Sequence, residues 1–275
     1  MRTAVVTIAS GRHTHLERQH AALGRSTRRP DDYIVVAMDD PALLEWAPAA
    51  APRPLVVALD APTGRLPLAA ARNLGARLAI ERGAELLVFL DVDCIPVPAL
   101  LERYAQAAAE HPDALLTGAI GYLPEGTDYD DPGSWAGAAR VHAFRPDPAA
   151  GVAEAGSHEL FWSLSFAAAS ALWQRIGGFD EGYSGYGGED TDFGLRAREL
   201  AVTVLWIGGA TAFHQHHPTA DPPVQHLDDI LVNGARFAGR WGFWPMRGWL
   251  DAFEQRGLVT RDGASGSYSR TDAAS

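Results

Sequence analysis

Five apolar residues in succession, Leu86–Leu90, end abruptly in two carboxylates, Asp91 and Asp93, within the stretch LLVFLDVDCIP. An unbroken apolar run of this length reads as a strand buried on both faces, and such strands belong to parallel sheets covered by helices. The runs TAVVTIA (3–9), YIVVAM (33–38) and PLVVAL (54–59) have the same character. Between the third run and Leu86, the segment LPLAAARNLGARLAIERG carries Leu68, Ala71, Leu74 and Leu78 at helical spacing, with Gly83 as a stop. Residues 14–28 show a weaker helical pattern. Strands alternating with helices predict an α/β protein built on an open, mostly parallel sheet. Ligands of such sheets bind beyond the carboxyl ends of the strands. Asp39, Asp40, Asp91 and Asp93 all fall at such ends.

The second half reads differently. A helix is predicted over 98–111, a strand over 114–120 and a long loop over 121–157, rich in Gly, Pro and Asp. The segment LFWSLSFAAASALWQRIGGFDE predicts a strand and a short helix stopped by Gly177 and Gly178. A strand over 202–208 and a helix over 227–242 follow, and the polar residues 257–275 are expected to be disordered. The expected organisation is one domain over 1–256, with a donor half over about 1–120 and an acceptor half over 121–256.

Composition removes several classes of function. The formal charge of −11 argues against duplex nucleic acid and anionic lipid as partners. All 23 basic residues are arginine, so a Walker A loop and a lysine Schiff base are excluded. Cys94 is the only cysteine; no internal disulfide can form, which fits a reducing cytoplasm. No run reaches the ~18–20 apolar residues of a membrane span, and the apolar part of MRTAVVTIAS is too short for a signal peptide.

Asp91 and Asp93, with Val92 between them, can turn toward one point and hold a hard divalent cation. That cation could bridge a diphosphate and stabilise it as a leaving group. The alternative is a solvated pair beside the helix that starts near Pro98. The stretch GYSGYGGEDTDFGLRAREL places five glycines, Gly182, Gly185, Gly187, Gly188 and Gly194, around Tyr183 and Tyr186. Glu189, Asp190 and Asp192 then open a helix, where acidic residues are favoured by the dipole. Capping alone does not account for so long a glycine-rich approach. A carboxylate on the floor of a cleft can accept a proton from a hydroxyl, and a tyrosine ring can lie against the apolar face of a sugar. In TAFHQHHPT, one histidine joining the two aspartates is easier geometry than a site built from adjacent histidines alone.

The segment IGGFDEGYSGYGGEDTDFGLRAR resembles the acceptor-side motif of GT-A glycosyltransferases. The likeness is greatest to family 2 enzymes and to the C-terminal region of the β-1,4-galactosyltransferase and chondroitin polymerase groups. LDVDC resembles their metal-binding Asp-x-Asp (DXD) motif. PLAAARNLGARLA resembles the family 2 donor-side segment, in which an Arg-Asn pair, here Arg72 and Asn73, contacts the nucleotide and its strand. AFHQHHP resembles the chondroitin polymerase segment whose first histidine, here His214, completes the metal site. The resemblance implies a GT-A fold, with a Rossmann-like mixed sheet, and a metal site of Asp91, Asp93 and His214 for Mn²⁺ or Mg²⁺. It implies Asp190 as general base and Glu189 as a hydrogen-bond partner of sugar hydroxyls. The related motif often carries tryptophans where this chain has Ser184 and Tyr186.

The donor site is expected to use Ile8, Arg12, Asp39, Arg72, Asn73, Asp91 and Val92; Asp39 is equally explained by turn chemistry before Pro41. The acceptor side is expected to use Tyr186, Gly187, Gly188 and Trp162, although core packing also accounts for the tryptophans at 162, 241, 244 and 249. The implied activity is metal-dependent, inverting hexosyl transfer from a nucleotide-diphosphate sugar, such as a UDP-sugar, to a hydroxyl of a glycan or small molecule. The alternatives are a sugar-phosphate nucleotidyltransferase and a non-catalytic nucleotide-sugar binder.

Overall fold

The computed structural model describes residues 1–61 and 64–271. In chain order the first part runs β1 (Thr3–Ala9), α1 (His13–Leu23), β2 (Asp32–Met38), β3 (Pro54–Leu59), α2 (Leu68–Glu81), β4 (Leu86–Leu90), β5 (Cys94–Pro96), α3 (Leu100–Glu110) and β6 (Ala114–Tyr122). The rest runs α4 (Trp135–Ala138), β7 (Arg140–Val141), β8 (Ala153–Ala155), β9 (Ser165–Ala169), α5 (Ser170–Ile176), α6 (Glu189–Glu199), β10 (Thr203–His214), α7 (Leu227–Trp241), α8 (Arg247–Gln255), β11 (Val259–Arg261) and β12 (Tyr268–Arg270). No helix among the described residues is long and apolar enough to cross a membrane.

The main sheet has the order β3-β2-β1-β4-β9-β6-β10-β5, with β7 beside β6 and β8 beside β10. Its longest pairings, β6 with β10 and β2 with each of β1 and β3, are parallel. β9 enters antiparallel between β4 and β6, which makes the sheet mixed. β4 is buried throughout. Leu87 and Phe89 join one apolar layer with α2, α5 and α6, while Leu86, Val88 and Leu90 join the opposite layer with α1 and α3. This two-sided burial is the reason for its unbroken apolar sequence. Phe166 of β9 stacks on Phe89 at 4.4 Å, and Phe161, Phe179 and Phe193 close around it. That aromatic cluster fixes the start of α6 against the carboxyl end of β4.

Three sequence expectations change. The strand expected over 202–208 extends to His214 through a register shift between Ile207 and Ala212, and this extension brings the histidines to the site. The loop expected over 121–157 contains α4, β7 and β8 and is anchored by Trp135 packing on Phe213. The disorder expected over 257–275 is corrected for 257–271. There β11 and β12 pair antiparallel and bury Val259 and Tyr268 against α7 and α8. Two apolar anchors suffice to hold this otherwise polar hairpin, whose turn is closed by the Asp262 carboxylate accepting from the Ala264 and Ser265 N–H groups. Residues 272–275 of the expected tail lie outside the described residues.

Candidate active site

Strand pairing builds the first half of the site. β5 runs antiparallel to the end of β10, with His214 opposite Cys94. His214 is therefore neighbour to Asp93, its Nε2 3.4 Å from the carboxylate. The Gln215 N–H donates to the Asp93 carbonyl at 2.7 Å. Beyond it, His217 places its Nε2 3.5 Å from the same carboxylate. One ligand atom each from Asp93, His214 and His217 lie within 4.8 Å of one another. Burial opposes ionisation of Asp93, but the hydrogen bond from His217 and the charges of His214 and Arg12 hold it down at about 2. Burial pushes the His214 imidazole down toward its neutral form, the form that ligates metal.

Asp91 does not join this cluster as expected. Its carboxylate accepts from the Arg72 guanidinium at 2.9 Å, so its charge is already compensated. The third member is His217, which is not among the metal ligands expected from the sequence. Arg12 lies at the rim, 3.4 Å from Asp93. The Asp-x-Asp turn is held from below by Gln19 of α1, which is fully buried. Its amide donates to the carbonyls of Asp91 and Cys94 and accepts from the Thr7 and Tyr33 hydroxyls.

The second half of the site is the start of α6. Gly188, at φ 91°, caps that helix. The loop before it is fastened to α7: the Asn233 carboxamide accepts from Ser184 N and donates to the carbonyls of Ser184 and Tyr186. Asp229 accepts from Tyr186 N. Gly185 adopts φ 76°, and a Cβ there would overlap the Asp229 carboxylate. We expect Gly185→Ala to lower the melting temperature, because it adds a left-handed strain to a steric overlap. A thermal melt reads the loss.

Arg72 joins the two halves. It is 4% exposed and donates to Asp91 on one side and to Glu189 on the other, at 3.2 Å. Glu189 is 5% exposed. Its second oxygen is buried without a partner among the described residues. Burial first, and then the charge of Asp190, push Glu189 up to about 7 against the opposing pull of Arg72. Asp190 is half-buried and accepts from Thr191 N at 2.7 Å. Burial raises it too, while Arg72 and the Thr191 N–H oppose.

A carboxyl raised on folding binds its proton more tightly in the native state. The stability it confers is full below the unfolded value of about 4.3 and is lost as pH rises through about 7. We therefore expect metal-free protein to lose stability across that window, and Glu189→Gln to flatten the slope. Urea titrations from pH 4.5 to 8 check this.

The remaining expected residues fall in varied places. Ile8 is buried at the end of β1 and Val92 within the Asp-x-Asp turn. Asp39 has φ 48°. It is Asp40 beside it that accepts from Gly11 N and pairs with His13. Asn73 is turned away from the site: its carboxamide exchanges hydrogen bonds with the Phe179 backbone and donates to Glu181. It acts as a clamp on the turn before the glycine loop. Tyr186 is exposed and stacks on His226 at 4.5 Å. Gly187 lies between Tyr186 and the cap. Trp162 is half-buried against His142. Two pockets of about 630 and 690 Å³ open near Asn73 and Glu181; neither includes Asp93, His214 or Asp190, so they carry no part of this chemistry.

Comparison with known proteins agrees with the geometry. Residues 157–218 match the family described as the N-terminal domain of galactosyltransferase. This segment includes the glycine-acid loop and both clustered histidines. A validoxylamine A glucosyltransferase of Streptomyces hygroscopicus subsp. limoneus is 28% identical over 269 residues, covering 85% of this chain and 55% of that protein. The hyaluronan synthase of Pasteurella multocida is 27% identical over 175 residues, covering 54% of this chain and 18% of the synthase. The chain thus spans about half or less of the length of these relatives. Among solved structures, GalNAc-T7 with UDP, GalNAc and Mn²⁺ superposes with a TM-score of 0.62 at 14% identity, covering 88% of this chain and 48% of that one. S. aureus TarS 1–349 in complex with UDP-GlcNAc gives 0.59 at 12% identity, covering 86% and 67%. The fold is that of the GT-A glycosyltransferases, and it carries a galactosyltransferase-like segment.

Proposed function

We propose that this chain transfers a sugar from a nucleotide-diphosphate donor to an acceptor hydroxyl, with inversion at the anomeric carbon and with the help of a divalent cation. The observation that carries the proposal is Arg72. By holding Asp91 and Glu189 at once, it sets the acid pair of α6 beside the strand end that bears Asp93. The donor set of one carboxylate and two imidazoles fits a first-row divalent ion, Mn²⁺ included. Asp93, His214 and His217 would hold it; there it would neutralise the diphosphate and favour its departure. The Mn²⁺ and UDP of the GalNAc-T7 structure and the UDP-GlcNAc of TarS support that choice of ion and of nucleotide.

The rest is done by the chain's own groups. Asp190, raised toward neutrality by burial, is suited to take the proton from the acceptor hydroxyl as that oxygen attacks. Attack on the face opposite the departing diphosphate inverts the centre. Glu189 and Arg72 hold Asp190's surroundings and set its proton affinity. Tyr186, Gly187, Gly188 and Trp162 would form the acceptor side, and Ile8, Arg12, Asp39 and Val92 the donor side.

Binding separates this reading from a metal-free one. A nucleotide sugar with Mn²⁺ at 100 times its dissociation constant should add about 2.7 kcal/mol of stability. Asp93→Ala should abolish the Mn²⁺-dependent part of that gain, and His217→Ala should weaken it. Thermal shift measures all three. An undiminished Mn²⁺ effect in Asp93→Ala would remove the cluster from the proposal.

A further inference from the structure

The chain has two deeply buried arginines of opposite circumstance. Arg72 has two carboxylates. Arg145, in the loop after β7, is 3% exposed, and none of its three guanidinium nitrogens has a partner among the described residues. Its guanidinium carbon lies 5.2 Å from the centroid of Trp162 and 5.0 Å from that of Trp206. Two indole faces offer a cation attraction but accept none of its five N–H groups. A guanidinium withdrawn from water without hydrogen bonds is costly, and the cost is relieved by a matching oxyanion.

Its surroundings indicate where that oxyanion would come from. The Asp190 carboxylate lies within electrostatic range of Arg145, and so does the neutral Tyr122 phenol, whose ring stands 5.1 Å from that of His214. Arg145 is therefore buried close to both halves of the site. The loop beside it presents Phe144, 70% exposed.

We propose that Arg145, held between Trp162 and Trp206, is a receptor for a phosphoryl or carboxylate oxyanion carried into the site by a substrate. The guanidinium fork matches either group through paired N–H donors. Two sources share this chemistry: the diphosphate of the donor and an acidic group on the acceptor. Only the identity of the source rests on the transfer reading; the receptor itself does not.

The test is metal-free. Protein in EDTA is titrated at fixed ionic strength with inorganic pyrophosphate, UDP and glucuronate, and tryptophan emission is followed because Trp162 and Trp206 flank the guanidinium. Wild type should bind at least one of these probes. Arg145→Met should weaken that binding at least tenfold without lowering the melting temperature, since an apolar side chain replaces an unpaired charge. Arg145→Lys should retain part of the affinity. Loss confined to pyrophosphate and UDP assigns the anion to the donor; loss confined to glucuronate assigns it to the acceptor. Should Arg145→Met fail to fold, Arg145→Gln takes its place. Equal affinities for all three probes in wild type and the folded variant, or no binding of any of them, would overturn the receptor. Because turnover is not read, failure of the glycosyl-transfer reading leaves this result standing.

Discussion

Asp190→Asn is expected to lower turnover ~10²–10⁴-fold, the usual contribution of a positioned general base. The argument is local. Asp190 opens α6 at the carboxyl end of the sheet, and burial raises its proton affinity. Asparagine keeps the shape and the hydrogen bond accepted from Thr191 N but cannot take a proton. Nucleotide-sugar affinity and melting temperature should change little, because metal and diphosphate are assigned to Asp93 and the two histidines. Steady-state kinetics with Mn²⁺, and a melt of the same preparation, separate the two effects. Full turnover in the variant would transfer the base role to another group, with Glu189 the nearest.

Arg72→Met is expected to be the most destabilising single change, by about 3–5 kcal/mol, as when one partner of a buried ion pair is removed. Arg72 touches two carboxylates at 2.9 and 3.2 Å, and its side chain is 5% exposed. Its loss leaves Asp91 and Glu189 uncompensated together with the nearby Asp190, so the acid pair should take up protons and activity should fall as well. Urea unfolding at pH 7 reads the loss as a lower midpoint at unchanged slope. Adding Glu189→Gln to Arg72→Met should restore part of it, because the variants share a contact and are not additive. A midpoint within error of wild type would mean that the Arg72 bridge contributes nothing to the folded state.

The parts of this architecture that repeat locally were legible in the sequence. Leu86–Leu90 is buried on both faces, as an unbroken apolar run requires, and Gly177 ends α5 in a left-handed conformation. The glycine-acid stretch does open a helix at Glu189. What was hidden depends on contacts distant in the chain. Asp91 reads as a second metal ligand until Arg72, 19 residues earlier, is seen on its carboxylate. His217 is missing from the expected ligands because its approach to Asp93 depends on the β5–β10 pairing that ends at His214. Gln19 lies 72 residues from the turn it holds; its only local trace is one amide on the buried face of α1. Arg145 sits in a loop with no periodicity, and nothing nearby in sequence signals its burial between two tryptophans. The hairpin at 259–270 was masked by a composition of small polar residues in which Val259 and Tyr268 alone reach the core.

The most direct measurement of the central claim is the identity of the released nucleotide. Purified protein is incubated with a panel of UDP-sugars and candidate hydroxyl acceptors, with Mn²⁺ and with EDTA, and the products are resolved by ion-exchange chromatography and mass spectrometry. The account predicts UDP in a one-to-one ratio with glycosylated acceptor, in Mn²⁺ and not in EDTA, and abolished by Asp93→Ala. Release of pyrophosphate in place of UDP, or transfer at the same rate in EDTA, would contradict it.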